Sequence, residues 1–275
     1  AICLGVCDKI VPGLVIGALA FGHLPTVFVP AGPMMSGLSN VKKSAVRKAY
    51  ARGEVSRSDL LKAEGEAYHS PGTCTFFGTA NSNQMLMEVM GLHLPGSSFV
   101  NPTDELRLGL TIAATERVVE ISRRSNNPMP IGKMLDERSF VNAIIGLHAT
   151  GGSTNHTLHL PAMAAAAGIK LTWQDFSDLS EITPLLARVY PNGDADVNHF
   201  HAAGGMAFVI NQLLDAGLLD GTAKTVWGES LFDYTKEPMF SDKKIIWKNG
   251  EKKSGDFEVL RPTSNPHSVN GGLKM

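Results

Sequence analysis

Cys7, Asp8 and Lys9 put a soft metal ligand, a hard oxygen ligand and an amine into three successive residues, with Pro12 and Gly13 close behind. Thiolates suit iron or zinc, whereas carboxylates suit magnesium, manganese or calcium, so one turn could serve two different metals. The alternative is a buried thiol beside a surface Asp–Lys pair. A second cysteine lies in Pro71-Gly72-Thr73-Cys74-Thr75-Phe76-Phe77-Gly78-Thr79-Ala80-Asn81, among glycines and small hydroxyl residues. Such a loop can wrap closely around a cluster and turn backbone N–H groups toward sulfur. A third stretch, Gly151-Gly152-Ser153-Thr154-Asn155, precedes a helical pattern. The N–H groups and positive end of that helix make Ser153, Thr154 and Asn155 a candidate site for a phosphate or carboxylate. Simple N-capping by Ser153 or Thr154 is the alternative.

Other polar residues carry less. His156 and His159 lie three apart and His199 and His201 two apart, but neither pair has the His-Glu-x-x-His pattern or a cysteine pair at finger spacing. They read as core or capping residues, and only His156, beside the anion candidate, merits attention. Cys3 lies within an apolar run and reads as a buried thiol. Lys42, Lys43 and Arg47 form one charged helical face, which reads as solvated, with a phosphate-binding role as the alternative. No dinucleotide fingerprint or phosphate loop is present, so nucleotide binding has no support.

The elements that must hold these residues follow from periodicity. Residues 2–6 form a buried strand running into Cys7, residues 14–20 a helix, and residues 26–29 a second buried strand closed by Pro30. Residues 42–52 and 58–68 are amphipathic helices, the second capped by Ser58 with Leu60 and Leu61 inward. Residues 81–90 make a core helix rich in methionine (Met85, Met87, Met90). Further helices are predicted over 103–122, 139–148, 153–167, from Thr183, and over 211–218. Beyond Thr222 short β-like runs appear at 226–227, 245–247 and 257–260, separated by charged turns at 241–244 and 248–254. This order predicts an α/β fold: a parallel sheet flanked by helices (α/β/α), followed by the start of a β-rich second domain. Residues 1–228 would be the cluster- and metal-binding domain, and 229–275 the linker and beginning of the next.

Bulk properties exclude several classes. With 275 residues, 43% hydrophobic and 19% charged, the chain can bury a substantial core. A net charge of −1 gives no electrostatic grip on nucleic acid. Three cysteines make no disulfide framework and suit a reducing compartment. The apolar stretch 10–29 is broken by Pro12, Gly13, Gly17, Gly22, His23 and Pro25, so it is no membrane span. The chain opens on Ala1 inside a strand-like run and ends just past Gly271-Gly272, which reads as an internal fragment.

The two cysteine stretches, with Val29-Pro30-Ala31-Gly32-Pro33-Met34, Pro130-Ile131-Gly132-Lys133-Met134, the run from Ala149 to His156, Tyr190-Pro191-Asn192-Gly193 and Asn198-His199-Phe200, resemble the dehydratase family that contains dihydroxy-acid dehydratase and 6-phosphogluconate dehydratase. The Pro-Gly-Thr-Cys-Thr-Phe wording and His156 after Ser-Thr-Asn are similar to the 6-phosphogluconate branch. The resemblance implies a hydro-lyase that converts 6-phospho-D-gluconate to 2-dehydro-3-deoxy-6-phospho-D-gluconate, a step of the Entner–Doudoroff pathway. It implies Cys7 and Cys74 as ligands of an iron–sulfur cluster of the 4Fe–4S type. Asp8 and Lys9 would serve a divalent metal such as Mg²⁺. A protonated amine is a poor ligand for that ion, and in relatives the lysine is carbamylated, which would make Lys9 an oxygen ligand. The general base is expected outside this chain, so the piece alone would be inactive. A sugar-acid phosphate as substrate, a homodimer and a cytoplasmic location complete the expectation, with no nucleic-acid or membrane partner. A dehydratase of the same family acting on dihydroxy acids or unphosphorylated sugar acids, or an inert fragment, remains open at this point.

Overall fold

The computed structural model describes residues 1–122, 125–241 and 244–273. Strands β1 (Ile2–Gly5) and β2 (Val27–Pro30) pair in parallel, Ile2 opposite Val27 through Gly5 opposite Pro30. Parallel neighbours need a crossover, and α1 (Ile10–Ala20) supplies it. The chain continues through α2 (Asn40–Ala51), α3 (Arg57–Ala67), α4 (Thr79–Val89), α5 (Glu105–Glu120), α6 (Ile131–Met134), α7 (Glu137–Thr150), α8 (His156–Ala166), α9 (Trp173–Ile182), α10 (Val197–Ala202) and α11 (Gly205–Asp215). An antiparallel hairpin of β3 (Lys236–Ser241) and β4 (Lys244–Asn249) follows. The α/β order expected from the sequence is therefore present, and the antiparallel strands start a second region after it. Because the parallel sheet has two strands among the described residues, helices enclose most of the core. No helix among these residues is long and apolar enough to cross a membrane.

Both parallel strands point their carboxyl ends at the same place. The loop after β1 carries Cys7, Asp8 and Lys9; the loop after β2 carries Gly32, Pro33 and Met34. In parallel sheets this end is where ligands gather. The second loop is stitched to the Cys74 stretch like a short extra strand: Pro33 bridges Thr73 in parallel, Thr73 N–H donates to Gly32 O at 2.9 Å, and Met34 N–H donates to Thr73 O at 2.9 Å. Gly72, at φ +129°, makes this approach possible, since a Cβ there would lie 2.4 Å from the Met34 nitrogen. Gly72→Ala should therefore lower stability by about 1–3 kcal/mol in urea unfolding. An unchanged midpoint would mean that the seam can relax.

Helix α4 runs beneath these loops, and every residue from Ala80 to Val89 is buried. Met85, Met87 and Met90 fill the core as expected, packed with Phe28, Phe77 and Phe140 in one apolar cluster. The hairpin and the segment leading into it are anchored on the same body. Tyr234 O–H donates to His93 O at 2.7 Å, Trp247 Nε1–H donates to Pro95 O at 3.1 Å, and the Trp227 and Trp247 rings lie 4.3 Å apart.

Several local expectations are corrected. Helix α3 is capped by Ser56, not Ser58, through a capping box with Asp59. It buries Ala63 and Ala67 and leaves Leu61 at 60% exposed. No helix begins at Thr183: a capping box at Thr172 starts α9 earlier, and Thr183 ends it. The following residues run extended, with Leu185 and Ala187 bridging Ser268 and Leu260. Residues 257–260 form a turn rather than a strand, because Asp256 accepts from Glu258 N–H with its side chain and from Val259 N–H with its carbonyl. Of the charged turn at 241–244, Asp242 and Lys243 lie outside the described residues.

Candidate metal and anion site

Asp8 is positioned by α4. Asn83 Nδ2 donates to the Asp8 carbonyl at 2.7 Å, and Lys9 occupies the N-cap position of α1 without a side-chain capping bond. The Asp8 Oδ1 atom is buried and has no hydrogen-bond partner among the described residues. His159 of α8 approaches it, with Nε2 3.9 Å away. A buried carboxylate oxygen without a donor is poorly served by protein alone, and it suits a hard cation. Cys7 is exposed and Cys74 is half-buried. Burial pushes the Cys74 thiol up, a bond from the Phe76 N–H opposes this, and nearby Cys7 adds to the rise, so the two sulfurs lie within electrostatic reach of one another. Cys3, also raised by burial, packs from β1 against the core.

The Cys74 loop hangs on one side chain that the sequence reading did not single out. Asn81, fully buried at the start of α4, donates through Nδ2 to Cys74 O at 2.5 Å and Phe76 O at 2.6 Å. Its Oδ1 accepts from Thr73 Oγ1 at 2.9 Å. From the other flank, Val197 N–H donates to Thr75 O, and Asn198 Nδ2 donates to Met34 O. Ser36 O–H donates to Asp196 Oδ2 at 2.6 Å. Asp196, Val197 and Asn198 thus clamp the two loops that meet at Thr73.

Ser153, Thr154 and Asn155 come to the amino end of α4. Gly151, in the left-handed conformation, ends α7 and turns the chain there. Thr79 Oγ1 lies 2.8 Å from Ser153 Oγ and accepts from Asn155 Nδ2 at 2.9 Å. Ser82 Oγ donates to Gly78 O and accepts from Ser153 N–H. It therefore takes the Nε2–H of the buried His156, at 2.7 Å, and leaves His156 Nδ1 without a partner among the described residues. Burial, with His159 nearby, drops His156 to a pKa of about 3, so it stays neutral. The amides of Ser153, Asn155, His156 and Thr157 are all bonded within the protein. What this segment presents outward is the exposed Thr154 and Asn155 side chains.

The charged face of α2 also departs from expectation. Arg47 is exposed and holds Glu64 bidentately at 2.6 and 2.9 Å, but Lys43 is only 5% exposed, so it is not part of a solvated face.

No group of three or more His, Cys, Asp or Glu side chains close enough to hold a metal occurs among the described residues. Two thiols within electrostatic reach of one another and a carboxylate oxygen unpartnered among these residues nevertheless offer fitting chemistry, soft sulfur for iron and hard oxygen for a divalent cation.

Comparison with known proteins gives a consistent picture. Residues 1–234 match the family described as dihydroxy-acid/6-phosphogluconate dehydratase N-terminal. A phosphogluconate dehydratase of Pseudomonas aeruginosa is 58% identical over 100% of this chain, and one of Rhizobium meliloti is 59% identical over the same share. A dihydroxy-acid dehydratase of Hydrogenobaculum is 36% identical over 94% of the chain. The chain spans 45%, 46% and 48% of these relatives' own lengths. With most of its length matched by the family, and with relatives of both branches aligned along it, the chain belongs to the dihydroxy-acid/6-phosphogluconate dehydratase family.

Proposed function

We propose that the protein containing this chain dehydrates 6-phospho-D-gluconate to 2-dehydro-3-deoxy-6-phospho-D-gluconate. What supports this reading most is that relatives at 58% and 59% identity are phosphogluconate dehydratases, with Cys7 and Asp8 in the loop after β1 and Cys7 within electrostatic reach of Cys74. Loss of the C2 proton and the C3 hydroxyl gives an enol that settles to the 2-keto acid. Hydroxide is a poor leaving group and the proton beside a carboxylate is weakly acidic, so both ends of the reacting unit need positive charge. In this proposal Cys7 and Cys74 hold an iron–sulfur cluster of the 4Fe–4S type, and Asp8 with a carbamylated Lys9 holds Mg²⁺. When bound, these groups would supply Lewis acidity toward the departing hydroxyl and toward the substrate carboxylate.

The chain's own side chains set this up. Asn83 fixes the backbone of Asp8, Asn81 fixes the Cys74 loop, and neutral His156 locks Ser82 beneath Ser153. Thr154 and Asn155 offer polar side chains to the substrate, with Ser153 tied behind them to Thr79. Homodimeric assembly and a cytoplasmic location belong to the same proposal and rest on the family.

The test is turnover by the full-length protein, prepared anaerobically with iron and sulfide. It should use 6-phosphogluconate at least about a hundredfold better in kcat/KM than gluconate, since two or three charge-assisted hydrogen bonds to phosphate are at stake. Equal use of gluconate or 2,3-dihydroxyisovalerate would refute the phosphorylated substrate and leave family membership standing.

A further inference from the structure

Lys43 and Arg107 are the two buried Lys or Arg side chains among the described residues, at 5% and 6% exposed. They are treated very differently. Arg107 Nη1 donates to Pro30 O at 3.1 Å and Ser97 O at 2.9 Å, and Glu88 lies within electrostatic reach. Lys43 has no ion-pair or hydrogen-bond partner on Nζ among the described residues. Instead Nζ sits over two aromatic rings, 4.4 Å from the Phe76 centroid and 4.8 Å from the Tyr68 centroid. Glu64, the acid whose carboxylate feels Lys43, has both oxygens engaged by Arg47.

Ring faces attract an ammonium but replace only part of the water it has lost. Nζ is not among the fully buried unpartnered atoms of the described residues, so an anion can reach it, and the local field favours one. Lys42 and Lys43 both sit near the positive amino end of α2, whose first turn contains no acidic residue. Phe76 is two residues beyond Cys74, and the Lys43 charge is felt at the Cys74 sulfur, so this cation borders the candidate site.

We propose that Lys43, caged between Tyr68 and Phe76 beside the Cys74 loop, is the cation that receives the phosphate group of the substrate. This inference rests on the function proposed above. There the substrate carboxylate is assigned to the metal at Asp8 and Lys9, which leaves the phosphate without a cation. The amides around Ser153 do not provide a substitute, because most of them are already bonded internally. Lys43 is thus a specificity-determining residue for phosphorylated over unphosphorylated acids.

The test compares wild type, Lys43→Met and Lys43→Arg in the full-length protein. Methionine retains an unbranched stem without charge, and circular dichroism confirms that each variant folds. The readout is the ratio of kcat/KM for 6-phosphogluconate over gluconate. Loss of one charge-assisted contact should lower this ratio about tenfold to a hundredfold in Lys43→Met, with Lys43→Arg recovering most of it. An unchanged ratio in Lys43→Met, including the case where both substrates suffer equally, would overturn the proposal. If wild type turns over neither acid, the parent reading fails separately, and calorimetric titration with inorganic phosphate decides this one. Phosphate binding by wild type that Lys43→Met abolishes supports the site; equal binding, or none by wild type, overturns it.

Discussion

Serine in place of Cys7 or Cys74 in the full-length protein is expected to abolish the visible absorbance of an iron–sulfur cluster, and activity with it. Alanine in place of Cys3 should leave both intact. The asymmetry follows from placement. Cys7 is exposed in the loop where β1 gives way to α1, and Cys74 lies in a loop tied down by Asn81. Cys3 lies within β1, opposite Phe28 of β2, and packs against the apolar core. A thiolate donates to iron far more strongly than a serine hydroxyl does, so losing one of few ligands empties the site rather than weakening it. The burial that raises the Cys74 thiol acts in the same direction: the sulfur gives up its proton readily only when a metal takes its place. A cluster that leaves one iron open to substrate is also open to oxidants, so activity should decay in air and return with anaerobic iron and sulfide. Equal iron loss in all three variants would remove the distinction between Cys3 and the other two. Activity indifferent to air and to chelators would point to a different mechanism.

The sequence was most informative where chemistry is local. A strand running into Cys7, a crossover helix and a second strand closed by Pro30 could be read directly, because apolar runs punctuated by proline and glycine dictate local backbone shape. The cysteine and Gly-Gly-Ser-Thr-Asn stretches stood out because their small residues permit close backbone approach. Long-range geometry was not readable. The methionines of α4 marked a core helix, yet Asn81, Ser82 and Asn83 on that helix are equally buried and organise the loops above it. Successive buried polar residues have no periodic signature, and only their partners reveal their purpose. Lys43 and Arg47 lie one turn apart and look alike in sequence. Arg47 reaches Glu64 at the surface, while Lys43 falls beneath Phe76, thirty-odd residues further along the chain. The same limit explains the residues after Thr183, drawn out by bridges to Ser268 and Leu260, whereas residues 257–260 are turned locally by Asp256.

Asn81→Ala is expected to destabilise the chain by about 2–4 kcal/mol and to free the Cys74 loop, because two carbonyls lose their donor at once. Asn81 Nδ2 serves both Cys74 O and Phe76 O, while Oδ1 receives Thr73 Oγ1, so a single fully buried amide closes the loop at three points. Alanine fits the space and retains helix propensity, so the loss reflects the bonds rather than the helix. Asn81→Asp should be worse than alanine. A carboxylate cannot donate to either carbonyl, and it places a charge against their negative ends without access to water. Urea unfolding of the full-length protein measures the energy. Thiol labelling of the metal-free protein in the Cys3→Ala, Cys7→Ser background measures the loop, and Cys74 should react faster once Asn81 is gone. The seam between Thr73, Gly32 and Met34 offers a competing restraint through two backbone bonds of 2.9 Å. If Asn81→Ala unfolds at the wild-type urea concentration and Cys74 labels no faster, that seam alone holds the loop. If both change together, the side chain that positions the sulfur is also a major source of the local stability, and the cysteine is presented by a buried polar helix rather than by its own glycine-rich loop.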